Sequence, residues 1–103
     1  MKAYFFYVLY TADGYFYGGF TDDVLRRLAT HESGKGAKFT RVKSRHPLQL
    51  IYQESFETKS DALKAEAAFK KLTRSQKEMF LLAHKVDTVS YTHLRAHETE
   101  LHL

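Results

Sequence analysis

At 103 residues the chain has room for one domain and little beyond it. Hydrophobic residues make up 44%, enough for a packed core, which argues against a disordered chain. The absence of cysteine excludes a disulfide partner, zinc–thiolate sites and thiol nucleophiles, and fits a reducing, cytoplasmic compartment. A net charge of +4 favours a polyanionic partner, although charge alone is equally compatible with a merely solvated basic surface.

The run Tyr4 to Tyr10 is continuously aromatic and β-branched and reads as a strand. It is too short to span a bilayer, which takes roughly 20 apolar residues, and it ends in a turn rather than a cleavage site, so no membrane partner is expected. Thr11-Ala12-Asp13-Gly14 supplies the turn, and Tyr15 to Phe20 makes a second strand, completing an antiparallel hairpin. Gly18-Gly19 within it predicts a bulge, or a place where another group closely approaches the backbone. Thr21 or Asp22 caps a helix through about Glu32, closed by Ser33-Gly34. Residues 34–46 read as a loop holding five Lys or Arg and no acid. Leu48 to Phe56 alternates as a third strand, and Thr58 caps a second helix to about Leu72. Thr73-Arg74-Ser75-Gln76 is a capping box opening a third helix to about His84. The resulting order is β-β-α-β-α-α.

From Thr88 to Thr99 the chain resembles the conceptual translation of a transposase-type sequencing adapter. Residues 88–103 are therefore set apart from a domain spanning 1–87, and His93 and His97, although at i, i+4, are not taken as metal ligands. Removing that segment takes away one Arg and two Glu and leaves the domain more basic.

Two helix faces carry polar groups where apolar ones are expected. On the first helix Val24, Arg27, Leu28 and His31 share one arc, with Arg26 nearly opposite. Arg27 and His31 beside an apolar stripe call for anionic company, such as a phosphate, unless Arg27 simply snorkels to solvent and His31 sits at the boundary. On the second helix Glu66 lies between Leu63 and Phe69 in the apolar arc, beside Ala62. A carboxylate there wants a metal or a partner, and the plainest partner is Lys70 at i, i+4. Lys35, Lys38, Arg41, Lys43 and Arg45, with Phe39 among them, form a basic stripe suited to tracking a phosphate backbone, and Lys70 extends the set. The Gly34-Lys35-Gly36 element lacks the spacing of a P-loop.

Taken together these residues resemble the GIY-YIG nuclease superfamily, in particular its small stand-alone bacterial proteins. The first name-giving tripeptide aligns with Phe5-Phe6-Tyr7 and the second with Tyr17-Gly18-Gly19. Thr21 to Leu28 matches the family's first helix, with Arg27 at the active-site position. The stretch from His31 through Arg41 is very like the stand-alone proteins, and Glu66 stands where the family's metal ligand stands. The resemblance covers roughly Tyr4 to Leu81. It departs at Phe5, Phe6 and Gly18, and the further Asn of several family members has no counterpart, since the chain contains no Asn.

The resemblance implies an α+β fold with a three-stranded, mainly antiparallel sheet flanked by helices. It also implies a metal-dependent endonuclease, a hydrolase of phosphodiester bonds in nucleic acid, DNA before RNA. Its catalytic set would be Tyr7, Tyr17, Arg27, His31 and Glu66. Arg27 would stabilise the pentacovalent phosphate, Glu66 would hold one Mg²⁺ or Mn²⁺, and Tyr7 would orient water or a phosphate oxygen. Tyr17 or His31 would take the proton from water. An ordinary phenol is only about 0.1% ionised at neutral pH, whereas an imidazole needs no help, so both stay open. The alternatives are a nucleic-acid-binding module with weak or no turnover, and a small interaction protein whose aromatics are simply core. Oligomeric state is not legible.

Overall fold

The computed structural model describes residues 2–84. The adapter-like stretch and the His93/His97 pair lie outside the described residues. The elements run β1 (Tyr4–Tyr10), β2 (Phe16–Thr21), α1 (Val24–Glu32), β3 (Gln49–Phe56), α2 (Lys59–Lys70) and α3 (Arg74–Ala83), an α+β fold in the order β-β-α-β-α-α. Two short 3-10 turns, Lys38–Arg41 and Lys43–Arg45, organise the segment read from sequence as a plain loop. Among the described residues no helix is long and apolar enough to cross a membrane.

The sheet has strand order β2-β1-β3 with both pairings antiparallel, so β1 is central. Its unbroken apolar sequence has a direct cause, because both of its faces are covered and neither can be polar. Phe6, Val8 and Tyr10 point to one side and join Phe16, Phe69 of α2 and Leu81 of α3 in the larger core cluster. Tyr7 and Leu9 point to the other and pack with Leu48, with Tyr17, Leu28 of α1 and Leu50 against them. One strand thus splits its side chains by alternation between a hydrocarbon core and the layer beneath α1.

The helix ends are set by short-range hydrogen bonds. The α1 cap is Asp23, one or two residues later than the sequence suggests, because its carboxylate accepts from the Arg26 amide at 3.1 Å. Thr21 instead accepts from the Asp23 amide and shapes the approach to the helix. Ser33 closes α1, and Gly34 follows at φ 82°. Thr58 caps α2, and the capping box of α3 is complete, with Thr73 and Gln76 bonding reciprocally.

Gly18 and Gly19 make no bulge, since β1 and β2 pair in continuous register from Phe5↔Thr21 to Tyr10↔Phe16. The irregularity lies instead between β1 and β3, where Val8 faces Tyr52 and Leu9 faces Leu50, leaving Ile51 as the extra residue. What the two glycines provide is close approach. Phe69 packs onto Gly18, and a Cβ on Gly19 would land inside the Tyr7 phenol. Replacing Gly19 by Ala therefore overpacks the sheet and is expected to destabilise the protein by about 3 kcal/mol, at the upper end for such changes. The urea midpoint of Gly19→Ala against the parent measures this, and an unchanged midpoint would mean that the Tyr7 ring is not held against β2.

Candidate active site

Tyr7 of β1 and His31 of α1 form the interior of the site, at 2% and 0% exposure. The Tyr7 hydroxyl lies 2.7 Å from His31 Nε2, and His31 Nδ1 lies 2.6 Å from the Thr40 hydroxyl. Thr40 in turn donates its proton to the Ala37 carbonyl at 3.0 Å. A hydroxyl has one proton, so Thr40 accepts from His31 Nδ1–H. The network assigns the neutral imidazole tautomer with a free lone pair on Nε2, which accepts the Tyr7 proton. The direction of donation runs from Tyr7 to His31 to Thr40 to a main-chain carbonyl.

Electrostatics agree with that assignment. Burial, reinforced by the Arg27 guanidinium and by the neighbouring His46, pulls the His31 imidazole down to about 4. Burial also pushes the Tyr7 phenol up to about 12, against the opposing pull of the Arg27 guanidinium beside it. The pair is therefore an uncharged phenol donating to an uncharged imidazole across neutral pH. Space for it is kept by backbone, because a Cβ on Gly36 would collide with the His31 ring as one on Gly19 would with Tyr7.

The remaining predicted residues gather around this pair. Tyr17 of β2 is half-buried, its ring 5.3 Å from that of His31 and 6.5 Å from that of Tyr7. Phe39 stacks on its other side at 5.7 Å and 16°. The charge of Arg27 acts on both Tyr7 and His31, while its Nε is buried with no hydrogen-bond partner. Glu66 of α2 acts electrostatically on Tyr7 and pairs with Lys70 at 3.0 Å, and the Lys70 ammonium stands 5.9 Å from the Tyr17 ring centre. Tyr7, Tyr17, Arg27, His31 and Glu66 thus come together from four elements. The apolar arc of α2 differs from expectation in one respect. Leu63 is 40% exposed, so the buried stripe is Ala62 and Phe69, and Glu66 stands at its edge with its side chain 18% exposed.

The basic segment divides into two groups. Lys35, Lys38 and Lys43 are exposed. Arg41 is also exposed but donates through Nε to the Gly36 carbonyl at 2.9 Å, bracing the turn that packs on His31. Arg45 is turned inward. It pairs with Asp13 at 3.1 Å, and its guanidinium lies 3.9 Å from the Phe39 ring centre and 5.1 Å from that of Tyr15. Lys70 is committed to Glu66. Sequence reasoning missed Thr40 and the packing roles of Gly36 and Arg45. Only Gly36, in Gly34-Lys35-Gly36, carried a visible signal.

Among the described residues no group of three or more His, Asp or Glu could enclose a metal ion. A lone, partly exposed carboxylate does fit a hard divalent cation that keeps most of its water and takes further oxygens from a phosphate, provided that Lys70 releases it. Glu66 would be its protein ligand.

The chain matches the profile of the GIY-YIG catalytic domain over residues 3–79. It is 63% identical over 86 residues to a UPF0213 protein of Lactiplantibacillus plantarum, covering 84% of this chain and 85% of the relative. It is 59% identical over 80 residues to a UPF0213 protein of Enterococcus faecalis, covering 78% and 91%. A solution NMR structure of an E. faecalis protein superposes with a TM-score of 0.59 at 54% identity, covering 84% of this chain and 91% of that one. A UPF0213 protein from Bacillus halodurans, also solved by solution NMR, gives 0.55 at 37% identity, covering 87% and 93%.

The buried neutral His31 links folding to pH. Its folded-state value of about 4 lies below the ordinary 6.5, so the unfolded chain binds more protons between those values. Its contribution is therefore complete above about pH 6.5 and is lost as pH falls towards 4, to an extent on the order of 3 kcal/mol. Urea unfolding from pH 7.5 to 4.5 should show this loss, with a shallower pH dependence in His31→Gln. Equal slopes in the two proteins would show that His31 is not buried neutral.

Proposed function

The chain belongs to the GIY-YIG catalytic-domain family, and on that premise we propose that it is a metal-assisted endonuclease that hydrolyses phosphodiester bonds in cytoplasmic nucleic acid, DNA before RNA. The observation that carries this reading is the meeting of Tyr7, Tyr17, Arg27, His31 and Glu66 from β1, β2, α1 and α2. A binding surface has no need of a buried phenol–imidazole pair beside a half-buried carboxylate.

Hydrolysis requires that water lose a proton, that negative charge on phosphorus be stabilised, and that the leaving alkoxide be neutralised. Tyr17 is the better placed of the two candidate bases. His31 is fully buried with both ring nitrogens engaged, whereas Tyr17 is half-exposed. Arg27, half-buried beside Tyr7 and His31, would stabilise the phosphate through its positive charge. Tyr7 gives its proton to His31 and lies within the electrostatic reach of Arg27, which would make it a positioning residue for the guanidinium. A Mg²⁺ or Mn²⁺ ion on Glu66 would supply positive charge at the leaving oxygen.

A second reading, a nucleic-acid-binding module without useful turnover, is favoured by the Lys70–Glu66 pair, which already neutralises the carboxylate. The two part in a cleavage assay. The chain is incubated with labelled single-stranded, duplex and branched DNA and with RNA, in Mg²⁺, Mn²⁺ or chelator. The nuclease reading expects metal-dependent cutting that falls at least about 100-fold in Glu66→Ala. Tyr17→Phe should stop cutting but keep binding, and cutting retained by Tyr17→Phe would move the base role to His31. Binding without cutting on any substrate, with a slope of log K against log salt of about −3 to −5 on duplex DNA, would establish the binding module instead.

A further inference from the structure

Arg27 has a second environment besides the tyrosines. On its outer side opens a cleft of about 400 Å³ where the end of β2 meets the starts of α1 and α2, lined in part by Lys2, Tyr4, Phe20, Asp22, Arg27 and Lys59. Three cations stand against one carboxylate. Asp22 is already shared between Lys2 at 2.9 Å and Arg26 at 3.3 Å. Among the described residues neither Arg27 nor Lys59 has an ion-pair partner. Lys59 stands 6.0 Å from the Phe20 ring centre, and the Tyr4 and Phe20 rings lie nearly parallel, 11° apart with centroids at 6.2 Å. The cleft therefore offers uncompensated positive charge beside an aromatic wall.

The buried Nε of Arg27 decides what this combination is for. With its Nε cut off from water and without an acceptor, the guanidinium holds its charge in a poorly solvated setting, which an anion in the cleft would offset through the charge of the guanidinium rather than by reaching the buried Nε. Solvated lysines alone would need no ligand. Lysines beside a half-buried arginine without an ion-pair partner among the described residues leave a concentrated positive charge that favours an anion. We propose that this cleft is a second phosphate subsite, which takes the phosphodiester next to the scissile one on the same nucleic-acid strand. Arg27 stands between the two phosphates, and Lys59 and Lys2 hold the flanking one. The subsite rests on the nuclease reading for its place along the strand, but as a phosphate site it requires no turnover. It is separate from the basic segment 34–46, which lies on the Tyr17 side of the site.

Binding in chelator isolates the subsite from catalysis. The full chain is titrated with short labelled oligothymidylate and oligouridylate at several salt concentrations, alongside Lys59→Gln, Lys59→Arg and Lys64→Gln. Lys64 is exposed on the same helix but does not line the cleft, so its variant makes the same charge change elsewhere. The expected result is an affinity about fivefold or more lower in Lys59→Gln, with the salt slope smaller by about 1, near-parental binding in Lys59→Arg, and little change in Lys64→Gln. The Arg27 Nε–H resonance should also move on titration of the parent and move less in Lys59→Gln. Equal losses in Lys59→Gln and Lys64→Gln, or an Arg27 resonance that does not respond, would overturn the subsite even if the chain cuts. Conversely, Lys59-dependent binding in a chain that never cuts would uphold the subsite and defeat the nuclease reading. The two oligomers distinguish deoxyribose from ribose strands.

Discussion

From Phe6 to Tyr10 the central strand is covered on both sides, and no residue in that run is more than 4% exposed. A strand so placed must be apolar, or must bring along a partner for every polar atom it carries. Tyr7 puts a hydroxyl on the α1 side of this layer, and that hydroxyl constrains much of the structure. It needs an acceptor, which His31 supplies. His31 then needs an acceptor for its own N–H, which Thr40 supplies, and Thr40 passes its proton to the main chain. Each step also requires room, hence glycine at 19 and 36. The turn after α1, the register of β2 and the tautomer of His31 follow from one buried phenol.

The site accordingly has two halves of different character. The inner half, Tyr7, His31 and Thr40, is dry and fully hydrogen-bonded, and a network satisfied in a low-dielectric interior is stiff. The outer half, Tyr17, Arg27 and Glu66, is partly open, and its members retain unmet electrostatic demand or are held by an exposed lysine. Rigid support beneath adaptable groups is the arrangement that positional catalysis favours. The opposite face of the sheet, where Phe6 and Phe69 meet, is mainly hydrocarbon and serves as the anchor.

Much of this was legible in the sequence because local chemistry determined it. The first strand, the Thr58 cap and the Thr73 capping box depend on neighbours in the chain, and all three stand as read. The five candidate site residues were named from a family pattern and from polar groups on apolar helix faces, and their roles belong to the proposed function. What escaped depends on contacts distant in sequence. Thr40 looks like any loop threonine until β1 and α1 are packed, and Arg45 looks like one more phosphate-seeking cation until Asp13 and Phe39 arrive beside it. The glycine pair was read correctly as a place of close approach but not as regular pairing, because pleat geometry alone does not reveal that a neighbouring ring fills the missing side chain's place. Leu63 shows the limit of helical periodicity on a helix that covers only the edge of a small sheet.

Arg45 carries a mechanical consequence. It is fastened to the hairpin turn through Asp13 and, through its main-chain carbonyl, to the Ala12 amide, while its guanidinium lies on Phe39, which is itself stacked on Tyr17. The segment from α1 to β3 is therefore pinned near its far end to the strand that carries the candidate base. A polyanion drawn to Lys35, Lys38 and Lys43 would load a lever whose fulcrum is the Phe39 ring, and the displacement would arrive at Tyr17. In this architecture a displacement of the segment at Phe39 would be transmitted to the Tyr17 ring.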